Sequence, residues 1–252
     1  MVYTNTVDQN NRKHMANRTK LFEDGGRIFF QGSDPGTVVH FFKDDALIKG
    51  EALTINGKGA INNQLSERLH QTLQDLGVLS TFMRRLNMRE QLHSVGEIVP
   101  VRIKIHNYTD LDVNQDYGVD MGTKLPYPIL EFVGPTQHKM DKLITPELAE
   151  AFGWISSYEI EDLKVLSRKV NDVVFGFFRG IDYDLIDITL DFARLYKDEF
   201  SDPMLLFAGE LTPETCSLRS RHTLQITENS VENLTQFYQD MARLSGIIKE
   251  AD

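Results

Sequence analysis

Apolar positions recur along this chain with two periods. Leu65, Leu69, Leu73 and Leu76 return at helical spacing, so a helix is predicted from just after Gly57 to a cap at about Gly77. Ser156 and Glu159 have capping-box spacing, and Ile160, Leu163, Leu166, Val170, Val173, Val174 and Phe177 carry one stripe on to about Gly180. The segment SVENLTQFYQDMARLSGII predicts a closing helix capped by Ser230. Elsewhere the period is two. RIFFQ at 27–31 and VVHFFK at 38–43 flank Gly and Asp-Pro-Gly turn chemistry, which makes a hairpin. Val101, Ile103 and Ile105 alternate with Arg102 and Lys104, and ILEFV at 129–133, LIDITLDF and MLLFAGEL read as further strands.

Strands dominate early, helices and strands mix later, and there is no internal repeat. The expected architecture is α+β with two lobes. After a polar leader at 1–19, a β-rich, antiparallel N-terminal lobe spans 20–96 and a mixed α/β C-terminal lobe spans 97–252.

Composition narrows the function classes. A net charge of -10 without a basic patch argues against nucleic acid as a partner. No apolar run approaches the length of a membrane span, so insertion into a membrane is not expected. The leader MVYTNTVDQNNRKHM lacks the apolar region of a secretory signal and is sparse in Arg. With the single Cys216 these features point to the cytoplasm, or to the mitochondrial matrix in a eukaryote.

Several short stretches carry candidate chemistry. Gly57-Lys58-Gly59 feeds a helix N-terminus, where free backbone N–H groups and the helix dipole can seat an anion; the competing reading is a tight turn with a solvated lysine. Asp44 and Asp45 read as a solvated turn beside it. The seven histidines lack metal-ligand spacing. Cys216 reads as a small buried thiol, and Trp154 as core or as an anchor between lobes.

Taken together, FFKDDA, NGKGAINNQLSE, LGVLSTFMRRLNMREQL, EIVPVRIKIHN, GTKLPYPILEF, AFGW, LIDITLDF and ELTPETC resemble, in order and spacing, the SAICAR synthetase family. Its members join aspartate to a carboxyaminoimidazole ribonucleotide at the expense of ATP. The resemblance covers about Lys20 to Ile248 and leans to the bacterial branch. It implies nucleotide contacts from Arg27, Lys43, Gly57, Lys58, Gly59 and Asn63, substrate contacts from His106, Asn107 and Asp141, and a metal held by Asp191 and Glu210.

Charged family positions are also missing. A lysine of the first hairpin falls in Asp24-Gly25-Gly26, with Arg27 standing for the other; a substrate arginine and serine fall at His106 and Asp112. A lysine and an aspartate of a further motif fall within Pro135-Thr136-Gln137, and another lysine at Thr189. A metal carboxylate falls at Gly209, and an arginine and an aspartate at Ser217 and Ser220. Each lost contact can cost phosphoryl transfer roughly 3 kcal/mol. The resulting expectation is a non-catalytic accessory protein in a larger assembly or homo-oligomer, with no cofactor and an anion-poor cleft closed by side chains such as Tyr108, Tyr127 and His106 or occupied by a partner segment. The alternative is an active ATP- and Mg2+-dependent ligase of this type, acting in purine synthesis or on a changed carboxylate substrate.

Overall fold

The computed structural model describes residues 18–23, 25–48, 51–109, 118–134, 142–196, 202–222 and 231–247. The predicted hairpin forms as β2 (Arg27–Gln31) and β3 (Thr37–Phe42), paired antiparallel from Arg27↔Phe42 to Gln31↔Val38. With β1 (Lys20–Glu23), β6 (Phe82–Arg85) and β7 (Glu90–Ser94) it makes a five-stranded sheet of order β1-β2-β3-β7-β6. A small hairpin, β4 (Asp45–Ile48) with β5 (Glu51–Thr54), leads into helix α1 (Lys58–Asp75).

The second large sheet has the order β11-β10-β9-β12-β15, from β9 (Arg102–Tyr108), β10 (Lys124–Gly134), β11 (Lys142–Ile144), β12 (Tyr183–Leu190) and β15 (Cys216–Ser220). All of its described pairings are antiparallel. A third sheet joins β14 (Met204–Phe207), β13 (Phe192–Leu195) and β8 (Glu97–Ile98). Helices α2 (Pro146–Ala151), α3 (Ser157–Gly180) and α4 (Val231–Leu244) complete the fold.

The sequence periods have clear structural counterparts. Helix α3 carries the capping box: Ser156 accepts from the Glu159 amide, and Glu159 accepts from the Ser156 amide at 2.8 Å. Its buried stripe is Ile160, Leu163, Val170, Val174 and Phe178. Burial also takes in Ser167 and Asn171, and the turn-end aromatic is Phe178 rather than the half-buried Phe177. Strand β12 is central and almost wholly buried, not half-exposed as alternation suggests, because β9 and β15 flank it and α3 packs on it. The MLLFAGEL strand stops at Phe207. Ser230, the expected cap of α4, lies outside the described residues, as does the leader through residue 17.

One large core joins α1 leucines 65, 69 and 73 to the α3 stripe and to β9, β12 and β13, so it crosses the expected lobe boundary at 96/97. A smaller cluster of Phe30, Val39 and Leu92 belongs to the first sheet. Helix α1 packs against β3, β6 and β7 and also against α3 and α4. That double packing explains why Asn62, Asn63, Ser66 and His70 are buried beside its leucines.

Candidate active site

Two cavities open beside the first sheet, one toward the second sheet and one toward the third. One, of about 410 Å³, is polar: β9 supplies Arg102, β12 and the residue after it supply Asp187, Thr189 and Asp191, and β15 with its approach supplies Thr215, Cys216 and Ser217. Gly26, Arg27, Glu210 and Glu214 complete its wall. The other, of about 660 Å³, is lined by Phe22, Phe29, Val38, His40, Val95 and Ile98, among others. Arg27, Asp191 and Glu210 belong to both.

Strand alternation builds this arrangement. Ile188 and Leu190 are buried in the main core, while Asp187, Thr189 and Asp191, before, between and after them, reach the cavity. The register places Thr189 opposite Lys104 and Asp187 opposite His106 on β9.

Glu210 is the electrostatic centre of the junction. Its side chain is buried, with Arg27 Nη1 at 3.5 Å, and Thr212 Oγ1 donates to its other oxygen at 2.7 Å. His40 Nε2 stands 3.3 Å away but off the hydrogen-bond line, so that contact is an ion pair only when the imidazole is protonated. Burial alone raises the Glu210 carboxyl; His40, the Arg27 charge and the Thr212 hydroxyl outweigh it and hold the group down at about 2. Asp191 accepts from Arg102 Nε at 3.0 Å. Burial pushes the Cys216 thiol well above its ordinary value, and Asp187 and Glu210 push the same way. Cys216 is therefore no thiolate nucleophile, although it lines the cavity rather than lying wholly in the core.

The anion seat at Gly57-Lys58-Gly59 is already filled from within. Asp44 Oδ1 accepts from the Gly59 amide at 2.9 Å, and Arg89 grips both Asp44 oxygens at 2.7 and 2.6 Å. Burial raises the Asp44 carboxyl, but Arg89 and the Gly59 amide outweigh it and hold it below its ordinary value. The expected solvated turn is thus an anchor. Gly57 has φ 85°, and a Cβ on Gly59 would come within 2.4 Å of the Phe42 carbonyl oxygen, so both glycines are needed for this approach. Lys58 is 0% exposed and donates to Glu214, which also accepts from Asn62 Nδ2 at 2.8 Å.

Of the nucleotide residues expected from sequence, Arg27 lines both cavities, whereas Lys43, Gly57, Lys58, Gly59 and Asn63 line neither. Lys43 pairs with Asp45 at 2.9 Å and Glu23 at 3.1 Å, and Asn63 donates to the Asn87 carbonyl at 2.8 Å. The substrate pair His106 and Asn107 is turned elsewhere: His106 Nε2 meets Glu131 at 3.0 Å, and Asn107 exchanges hydrogen bonds with Asn171. Asp141, Asp112 and 135–137 lie outside the described residues. The metal pair Asp191 and Glu210 meets at the junction of the cavities. Sequence reasoning missed Arg102, Asp187, Glu214 and His40. The available signal was charge at positions 102 and 187, each alternating with buried apolar residues of its strand.

A sequence model of the family described as SAICAR synthetase matches residues 22–244. The chain belongs to the SAICAR synthetase family. It is 37% identical over 241 residues to the phosphoribosylaminoimidazole-succinocarboxamide synthase of Ruegeria pomeroyi, covering 93% of this chain and 95% of that protein. The enzyme of the same name from Gluconacetobacter diazotrophicus is 35% identical over 244 residues, 94% of this chain and 95% of that one. The crystal structure of the Ehrlichia chaffeensis synthase superposes with a TM-score of 0.81 at 29% identity, covering 92% of this chain and all of that chain. The two-lobed α+β fold is therefore that of SAICAR synthetases of bacterial type.

These relatives overturn the expectation of a non-catalytic accessory protein. Proteins this similar across nearly the whole chain are named as the synthase itself. The expectation that no cofactor is needed loses its support with it, since a solved SAICAR synthetase is in complex with ADP. Among the described residues the polar cavity holds two arginines: Arg27, which already stood for a family cation, and Arg102 from strand β9. Tyr108, Tyr127 and His106 do not close the cleft: Tyr127 is 73% exposed, Tyr108 Oη donates to Asp184 at 3.0 Å, and His106 is held by Glu131. The carboxylate missing at Gly209 has a steric counterpart, because a Cβ there would press within 3.1 Å of the Phe207 ring. Among the described residues no helix is long and apolar enough to cross a membrane.

Proposed function

We propose that this SAICAR synthetase family member is an ATP-dependent carboxylate–amine ligase, joining the aspartate amine to the carboxylate of a carboxyaminoimidazole ribonucleotide. The observation that supports this most directly is the junction of an apolar and a polar cavity at Arg27, Asp191 and Glu210. The apolar cavity, with Phe22 and Phe29 in its wall, suits a purine base. The triphosphate then runs past Arg27 into the polar cavity, where the acceptor carboxylate waits.

In the first half-reaction a carboxylate oxygen bonds to the γ-phosphorus, the bond from that phosphorus to the bridging oxygen breaks, and ADP departs. In the second, the aspartate nitrogen bonds to the acyl carbon, inorganic phosphate leaves, and the amine gives up a proton. Arg27 neutralises charge at the phosphates, which is where such transfers gain most. Asp187, on the cavity face of β12, is placed to receive the amine proton.

The residues present fit Mg2+. Among the described residues no group of three or more His, Cys, Asp or Glu side chains forms a metal cage. Mg2+ needs none, since it takes one or two carboxylates together with substrate phosphates and water. Asp191 and Glu210 supply those hard oxygen donors, and the bound ion would neutralise charge on the transferring phosphoryl group.

The test is direct. Purified protein is mixed with Mg2+-ATP, L-aspartate and carboxyaminoimidazole ribonucleotide, and ADP and the ligated product are followed by chromatography. ADP release that requires both co-substrates is expected. No ADP above the single-substrate controls, under conditions where a bacterial relative turns over, refutes the proposal.

A further inference from the structure

We infer that Glu214 is the seat of the aspartate ammonium, held in position from behind by Lys58 and Asn62; the inference rests on the ligase reading above. The wall of the polar cavity sets the carboxylates of Asp187, Asp191, Glu210 and Glu214 against the guanidiniums of Arg27 and Arg102. A wall with that surplus of negative charge favours a cationic guest. ATP and the ribonucleotide bring anionic groups to it, whereas aspartate brings an ammonium. In the ligase reading Asp191 and Glu210 hold Mg2+ and Asp187 takes the amine proton. Glu214 is the remaining carboxylate of the described wall.

The geometry equips Glu214 for this work. Lys58 and Asn62 stand one helical turn apart at the start of α1, so their side chains converge on one point. Both donate to the same carboxylate oxygen, Oε2, the Asn62 Nδ2 at 2.8 Å. The Lys58 side chain is wholly buried, so its charge meets Glu214 and no ligand. The backbone is held as well, because the Glu214 amide donates to Thr212 Oγ1 at 3.3 Å and the Thr215 amide to the Thr212 carbonyl at 3.1 Å. Among the described residues these side-chain bonds fall on Oε2, which leaves Oε1 for the cavity. Oε1 lies beside Gly26 in the same wall, where a Cβ would come within 2.9 Å of it. The glycine thus keeps room at that oxygen, and the Glu214 side chain is 30% exposed. A carboxylate fixed at one oxygen and open at the other holds an amine nitrogen in one place, which is what attack on an acyl carbon requires.

Glu214→Gln reverses the seat without changing its size. The amide oxygen must turn to the two donors, Lys58 and Asn62, so the NH2 group faces the cavity and an acceptor becomes a donor. Parent, Glu214→Gln and Glu214→Asp are assayed with ATP, aspartate and carboxyaminoimidazole ribonucleotide varied in turn. Succinate, which is aspartate without its amine, serves as a competitive inhibitor. Glu214→Gln is expected to raise KM for aspartate about tenfold or more, to leave KM for ATP and for the ribonucleotide within about twofold, and to be partly rescued in Glu214→Asp. The inhibition constant of succinate should stay within about twofold of the parent value. Asn62→Ala, which loosens Oε2, should raise KM for aspartate about threefold or more with the succinate constant unmoved. An unchanged KM for aspartate in Glu214→Gln, an equal rise for ATP or the ribonucleotide, or a parallel loss of affinity for succinate overturns the inference. Circular dichroism checks folding; if Glu214→Gln does not fold, Gly26→Ala, which crowds Oε1 and leaves the Lys58 pair in place, is read by the same criteria. If the parent shows no turnover, the ligase reading fails separately, and calorimetry with L-aspartate and with succinate in the presence of Mg2+-ATP decides the role of Glu214. Aspartate binding that is lost in Glu214→Gln while succinate binding is kept supports the seat; no binding of aspartate to the parent, or loss of both acids in the variant, overturns it.

Discussion

Replacing Glu210 by Gln keeps the volume of the side chain and removes its charge, so it isolates what the buried carboxylate contributes. The group ordinarily titrates near 4.5 and is held at about 2 in the fold. The folded state therefore prefers the ionised form, and the difference corresponds to about 3 kcal/mol. The sign follows: the contribution is lost as pH falls from 4.5 toward 2, and above that range its His40 part lasts only while the imidazole is protonated. At neutral pH, Glu210→Gln should lower the unfolding free energy by up to about 3 kcal/mol. The gap between parent and variant should then narrow steadily on acidification. Urea unfolding followed by the fluorescence of the single Trp154, repeated at several pH values from neutral down to the acid limit, measures both quantities. A loss that is the same at neutral pH and in the acid range would refute the reasoning, because it would mean that Glu210 acts through shape and not through charge.

Three other changes probe the frame around the site. Leu163 is fully buried at the centre of the α3 stripe, so Leu163→Ala should cost about 2–5 kcal/mol in urea unfolding, and a change under about half a kcal/mol would show that the buried face is misassigned. Ser156→Ala removes the capping oxygen of α3 and should cost about 1 kcal/mol, read as a fall in melting temperature without loss of the folded far-ultraviolet spectrum. Lys58→Met strips the fully buried ammonium from Glu214 and should destabilise by about 3–5 kcal/mol, whereas a surface lysine in its place would have cost almost nothing.

Local patterns were legible wherever a residue's neighbours in the chain are also its neighbours in space. The capping box at Ser156 and Glu159 needs only the first turn of a helix, and the RIFFQ hairpin needs only its own turn chemistry. The motif order was enough to place the chain among SAICAR synthetases, because such motifs preserve both residue type and spacing along nearly the whole chain. What could not be read was the set of partners each charge finds. Asp44 looked like a solvated turn, yet it holds Arg89, forty-five residues on, and the Gly59 amide. Lys58 looked like a surface charge, yet it is buried against Glu214.

The overturned expectation of a non-catalytic accessory protein had the same origin. By itself the sequence determined the elements, the α+β class and the family, since periodicity, turn chemistry and motif spacing are short-range properties of the chain. Which charges share the site was decided only by the tertiary structure, which brings Arg27 from the first sheet and Arg102 from the second to one cavity. Electrostatic energy depends on separation in space and on burial, not on separation along the chain. Counting charges motif by motif therefore registers each loss, but it cannot register an arginine that reaches the same cavity from another strand.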